Sequence, residues 1–269
     1  MKKFFVTSLL AGTMLFNTAN AAPNVTGHQN RETVYQVALL QSLAMGHFNG
    51  SITVKKLKSF GDTGIGTFEG LNGEMIVLDG VVYRADKNCK LHVVPDNETV
   101  PFGNVTFFDE DISAEFVNVI GKETFESELD KIVDEHGQNS FYVVKVHGDF
   151  NNLLVRSEGK QSKPYPTLVE ALKDQKEVTC KSISGTIVGL YCPQFMNSLN
   201  SVGWHFHFVS DDKKTGGHVL AFDVKRATAK LDKTDNFRMG LPTNKDFDSL
   251  NFKHDMEEDI RKAERDKRS

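Results

Sequence analysis

Two histidines one residue apart, His205 and His207, are followed after ten intervening residues by a third, His218. Side chains two positions apart on a strand project from the same face. If Trp204 to Ser210 is a strand, His205 and His207 point together, while Trp204, Phe206 and Phe208 form the opposite, apolar side. The stretch Asp211 to Gly217 is polar and ends in two glycines, so it can reverse the chain. His218 then returns on a neighbouring strand, within reach of the first pair.

Three neutral imidazoles leave a coordination position open for water or substrate, which is the catalytic rather than the structural zinc pattern. Imidazole also suits copper, nickel and iron. A histidine pair on a solvated strand face is an equally good reading of the spacing by itself. His28, His47, His92, His136, His147 and His254 show no comparable grouping, and ordinary surface or core placement accounts for them. A metal with an open position can act as a Lewis acid on a carbonyl or hydroxyl oxygen. Chemistry on a small carboxylic acid needs two more groups. An arginine suits the carboxylate through its planar fork, and a partly buried glutamate suits proton transfer. With 36 acidic and 32 basic residues, the chain offers many of each, and spacing does not choose among them.

The elements that must position these groups are mostly strands. Ile52 to Val54, Gly64 to Phe68, Met75 to Leu78, Val81 to Ala85 and Leu91 to Val94 are short apolar runs cut by Gly and Asp. Asp79-Gly80 between two of them is a hairpin signal. Phe141 to Val146 and Leu153 to Arg156 read as two strands separated by a turn over Gly148 to Asn152. Ser182 to Tyr191, Trp204 to Ser210, His218 to Val224 and Ala227 to Leu231 complete the set. Helical spacing of Val37, Leu40, Ala44 and Phe48 predicts a helix over Arg31 to Phe48, and Phe125, Leu129, Ile132 and Val133 predict another over Glu123 to His136. Thr167, with Glu170 three positions on, has the capping-box arrangement for a short helix. Asp255 to Arg265 reads as a charged helix with Met256 and Ile260 on its apolar edge. Strands outnumber helices in this reading.

Lys2 and Lys3, the apolar run Phe4 to Phe16 and Ala19-Asn20-Ala21 form a secretory signal peptide pattern over residues 1–21. The expected product is an exported protein with no membrane anchor after cleavage. The prolines Pro164 and Pro166 suggest a division into an N-terminal sheet-rich part, 22–160, and a C-terminal metal-binding part, 161–269, although both can belong to one domain. A net charge of −4 lacks the basic footprint of a general nucleic-acid binder. The three cysteines, Cys89, Cys180 and Cys192, leave at least one unpaired within the chain. Cys180 and Cys192 are open to pairing, and none has the close spacing of a cysteine zinc site.

Several stretches together resemble the acetolactate decarboxylase family. They are Gly61-Asp62-Thr63-Gly64-Ile65-Gly66-Thr67-Phe68 with Leu71-Asn72-Gly73-Glu74-Met75, Pro101-Phe102 with Val105-Thr106-Phe107-Phe108, Lys163-Pro164-Tyr165, and Gly185-Thr186-Ile187-Val188-Gly189. The most diagnostic is Gly203-Trp204-His205-Phe206-His207-Phe208 leading to Gly216-Gly217-His218-Val219. The resemblance spans Val34 to the C-terminal helix. It implies a mixed α/β fold dominated by sheets, conversion of 2-acetolactate to acetoin and carbon dioxide, with Zn2+ on His205, His207 and His218, and a homodimeric assembly. By position it makes Glu74 a carboxylate at the metal and Arg156 the group that holds the substrate carboxylate or assists protonation. It places Thr67 on the pocket wall. Glu264 matches a glutamate near the family's C-terminus, with Glu257 and Glu258 nearby. The expected chemistry is chelation of the substrate hydroxyl and ketone oxygens, loss of carbon dioxide and stabilisation of an enediolate. The ketone is itself the electron sink, so no organic cofactor is implied.

The histidine pattern alone also fits another three-histidine metalloenzyme, a hydrolase or an iron-dependent oxygenase. It fits equally a non-catalytic exported metal-binding protein.

Overall fold

A computed structural model describes residues 31–253 and 256–264. The signal-peptide reading over 1–21 lies outside the described residues, and among them no helix is long and apolar enough to cross a membrane. The strands in chain order are β1 (Thr33–Val37), β2 (Ile52–Thr53), β3 (Thr63–Thr67), β4 (Glu74–Leu78), β5 (Val81–Ala85), β6 (Leu91–Val93) and β7 (Thr99–Val100). They continue with β8 (Phe102–Thr106), β9 (Ile112–Val119), β10 (Phe141–Ser157), β11 (Lys176–Cys192), β12 (Gly203–Ser210), β13 (Gly216–Thr234) and β14 (Asn236–Gly240). The helices are α1 (Leu40–Ala44), α2 (Val54–Leu57), α3 (Lys122–His136), α4 (Leu168–Ala171), α5 (Lys245–Asp248) and α6 (Glu257–Glu264). The mixed, sheet-dominated α/β class expected from the sequence is the observed one.

One sheet has seven strands in the order β14-β1-β8-β3-β4-β5-β6, antiparallel except for the parallel pair of β1 and β14. A second has the order β10-β11-β12-β13-β9, and a further pairing of β10 with β13 closes four of its strands into a ring. The ring encloses an aromatic core. Phe206, Phe208, Phe150 and Phe222 point inward with Val144, Val146 and Ile187, and α3 adds Phe125, Leu129 and Val133. Strand alternation sends the intervening residues outward. There Val143, Val188, Leu190 and Val209 pack against Ile65, Ile76, Leu78 and Tyr83 of the seven-stranded sheet. The other face of that sheet is covered by α2 through Val54 and Leu57. A separate cluster joins α1, α4 and α6 through Leu40, Leu43, Leu168, Leu172, Ile260 and Ala263.

Two expectations are corrected. Arg31 to Phe48 is not one helix. It is β1 followed by the short α1, because Val34 to Val37 are buried on both faces and Ala38 takes φ 57°, which breaks the chain direction. A run buried all round cannot be assigned to helix or strand by periodicity alone. Gly148 to Asn152 is not a turn. Phe141 to Ser157 is one long strand whose register against β13 shifts between Asp149 and Phe150 and again between Asn151 and Val155. Asn152 has φ 50° at this bulge. The pairing left open by the sequence is decided as well: Cys180 and Cys192 occupy one strand, β11, about 40 Å apart along it. That is far beyond disulfide reach, and all three cysteines are free. The helix over α3 and the capping box of Thr167 and Glu170 are present as expected.

Candidate metal centre

The bulge in β10 decides which side chains meet. Before it, the even-numbered Tyr142, Val144, Val146 and Phe150 face the inside of the ring; after it, Leu153 and Val155 do. An extra residue in one strand moves every later side chain to the other face. Arg156 therefore points outward, towards the seven-stranded sheet. On the adjacent strands, Arg156 is opposite His218, and His218 is opposite His207. Opposed residues share a face, so Arg156, His218 and His207 form one row across β10, β13 and β12.

The two glycines before His218 make this row possible. A Cβ on Gly216 would lie 2.5 Å from the carbonyl oxygen of Phe208, and one on Gly217 would lie 2.5 Å from that of Arg156. Gly217 also takes φ 149°, which other residues rarely adopt. β13 can thus lie close to β12 and β10 at once.

The three imidazoles converge. Nε2 of His205 is 3.1 Å from Nε2 of His207 and 3.0 Å from Nδ1 of His218. One coordinating atom from each falls within 4.8 Å of the others. Nδ1 of His207 is 2.9 Å from the carbonyl oxygen of Met75 and donates to it, which leaves Nε2 as a bare lone pair aimed at the cluster. Burial holds the imidazolium forms far below their ordinary range, with Arg156 adding repulsion. The His205 pKa falls to about 3, and those of His207 and His218 are also strongly lowered. Neutral nitrogens at these separations suit a cation. A tetrahedral ion with bonds of about 2.0–2.1 Å holds its nitrogens about 3.3 Å apart. The residues therefore fit a divalent metal.

β4 supplies the facing side of the site. Glu74, Ile76 and Leu78 alternate towards the ring, and Oε2 of Glu74 lies 3.4 Å from Nε2 of His207. A cavity opens beside the histidines. Its polar wall consists of His205, His207, His218, Glu74, Arg156, Glu158 and Thr67, and its apolar wall includes Leu40, Leu43, Leu71, Phe102, Leu168 and Leu172. Thr67 donates from Oγ1 to the carbonyl oxygen of Gly73 at 2.9 Å, pinning the turn that leads into Glu74. Arg156 donates from Nη1 to Oε1 of Gln175 at 2.8 Å and from Nη2 to the carbonyl oxygen of Ala263 at 2.6 Å. Its Nε, also buried, has no hydrogen-bond partner among the described residues.

The structure thus brings together His205, His207, His218, Glu74, Arg156 and Thr67. Glu264 is the last residue of α6, next to the carbonyl that Arg156 holds, and its side chain lies outside the described residues. Glu257 and Glu258 are exposed, and Glu258 pairs with Lys262 at 2.8 Å. Sequence reasoning missed Glu158, a carboxylate only 2% exposed on the cavity wall. Its signal was its place two residues after Arg156. It also missed Gln175 and the leucines of α1 and α4, which carry no local signal.

A cluster of neutral imidazoles, with a cation and carboxylates around a cavity with apolar walls, has the make-up of a metal-dependent enzyme site. The chain belongs to the alpha-acetolactate decarboxylase family, whose sequence profile matches residues 34–254. It is 35% identical to the alpha-acetolactate decarboxylase of Methanosarcina mazei over 248 residues, 91% of this chain and 84% of that protein. It is 35% identical to that of Bacillus licheniformis over 237 residues, 88% of this chain and 93% of that one. The crystal structure of the Bacillus subtilis strain 168 enzyme superposes with a TM-score of 0.84 at 31% identity, covering 87% of this chain and all of that one.

Proposed function

We propose that this chain converts 2-acetolactate to acetoin and carbon dioxide with zinc on His205, His207 and His218. The observation that carries the reading is the shared row of Arg156, His218 and His207, with Glu74 facing it across the cavity. Zinc held by the three imidazoles supplies Lewis acidity towards the substrate's hydroxyl and ketone oxygens.

The remaining work falls to the chain's own groups. Arg156 binds the substrate carboxylate through its Nε–H, which has no partner among the described residues, and its planar charge. The bond from the carboxylate carbon to the carbinol carbon breaks, and its electron pair passes towards the neighbouring ketone oxygen. A proton then adds to the carbinol carbon to give acetoin. Glu74 is the buried carboxylate placed to manage that proton and the substrate hydroxyl, and Glu264 is a second carboxylate assigned to the site by position. The leucines of α1 and α4 take the two methyl groups and exclude water, which strengthens the polar contacts within.

The same reading makes the enzyme exported, on the pattern of its first 21 residues, and homodimeric, on the family resemblance. Its test is incubation of purified protein with 2-acetolactate. Acetoin and carbon dioxide in equal amounts, with no oxygen consumed, support it; oxygen uptake, or no turnover by folded metal-loaded protein, overturns it.

A further inference from the structure

We propose that Gln175 is a positioning residue for Arg156, setting the plane of its guanidinium and keeping its charge available to a substrate carboxylate. The inference rests on the proposed role of Arg156.

Gln175 stands just before β11, and its neighbour Glu177 is opposite Arg156 in the ladder. The Gln175 side-chain oxygen accepts from Nη1 of Arg156 at 2.8 Å, and its Nε2 donates to Oε1 of Glu177 at 3.1 Å. The second contact orients the amide with its oxygen towards the arginine. Ala263 holds the other terminal nitrogen through its carbonyl oxygen. A planar group fixed at both terminal nitrogens has its Nε–H direction fixed as well. Gln175 also donates its backbone N–H to the carbonyl oxygen of Leu172 at 3.3 Å, and Leu172 lines the apolar wall of the cavity. One residue therefore ties the cationic wall to the apolar wall.

Among the described residues, both hydrogen-bond partners of Arg156 are neutral acceptors. A carboxylate at position 175 would instead form an ion pair with the guanidinium and compete with an anionic substrate. The choice of an amide holds the arginine in place without bonding an anion to it. Gln175 is partly exposed and does not line the cavity, so its effect runs through Arg156.

The test is a double-mutant cycle on the zinc-loaded enzyme with Gln175→Glu, Gln175→Leu, Arg156→Leu and the double variant Arg156→Leu/Gln175→Glu. Gln175→Glu is expected to raise KM for 2-acetolactate by about ten-fold or more with a smaller change in kcat, the sign of lost carboxylate binding. Gln175→Leu is expected to lower kcat/KM with unchanged zinc content. In the Arg156→Leu background, Gln175→Glu should add no further effect. If Arg156→Leu raises KM but Gln175→Glu leaves it unchanged, or if the two effects multiply, Gln175 is not a positioning residue. If Arg156→Leu leaves KM unchanged, the role of Arg156 itself fails, and this inference falls with it.

Discussion

Arg156 and His218 stand directly opposite each other on β10 and β13, although Arg156 would face the inside of the ring if β10 ran without its bulge. The irregular stretch around Asn152 thus sets the functional face of the strand. It puts the guanidinium beside the imidazoles, close enough that its charge opposes their protonation.

Replacing His207 removes the most deeply held imidazole, the one oriented by Met75. His207→Ala is expected to lose metal and to lose activity by more than about 100-fold, beyond what the loss of an outer partner costs. Metal analysis and acetoin formation on the same preparation check this. An active, metal-free variant would remove the histidines from the account.

Glu74 differs from the histidines in its expected signature. Glu74→Gln keeps shape and hydrogen bonding but loses the charge and the basic oxygen. Metal content should persist while kcat falls by about 100-fold or more. Full turnover with bound metal would exclude Glu74 from proton handling.

α6 covers the site through Ile260 and Ala263 and gives Arg156 an anchor at the carbonyl oxygen of Ala263. Ile260→Asp puts a charge into that apolar contact and should release the helix, which is too short to persist alone. kcat/KM is expected to fall by about 100-fold through misplacement of Arg156, with metal content unchanged. Limited proteolysis should show new cleavage near the C-terminus. Retained kcat/KM in a variant that is cleaved there would show that the helix does not hold the site.

Asp232 is buried between the sheets, and burial raises its carboxyl pKa from 3.8 to about 7. In the unfolded chain the group ionises near its ordinary value, whereas in the fold it resists ionisation. Relative to a variant without the titration, stability is therefore highest in acid and is lost as pH rises from about 4 to about 7. Asp232→Asn should gain stability on the wild type between pH 5 and pH 8 in denaturant unfolding. Parallel pH profiles for the two proteins would contradict this.

The site was legible in the sequence where neighbouring residues on one strand carry it. His205, His207 and the glycine pair before His218 declare both their face and their turn. Glu74, Arg156 and Thr67 came only from resemblance, because their meeting depends on two sheets packing together and on the β10 bulge. Gly148 to Asn152 has the composition of a turn, and only pairing with β11 and β13 makes it strand. β1 was hidden for a related reason: burial on both faces erases the alternation that marks a strand. Gln175 reaches Arg156 from 19 positions away, through a contact that no local pattern announces.

The most direct test of the central claim is acetoin formation from 2-acetolactate as zinc is returned to chelated, folded protein. The account predicts no turnover without metal and a rate that rises with added zinc until one ion per chain is bound. Turnover that survives complete metal removal would contradict it.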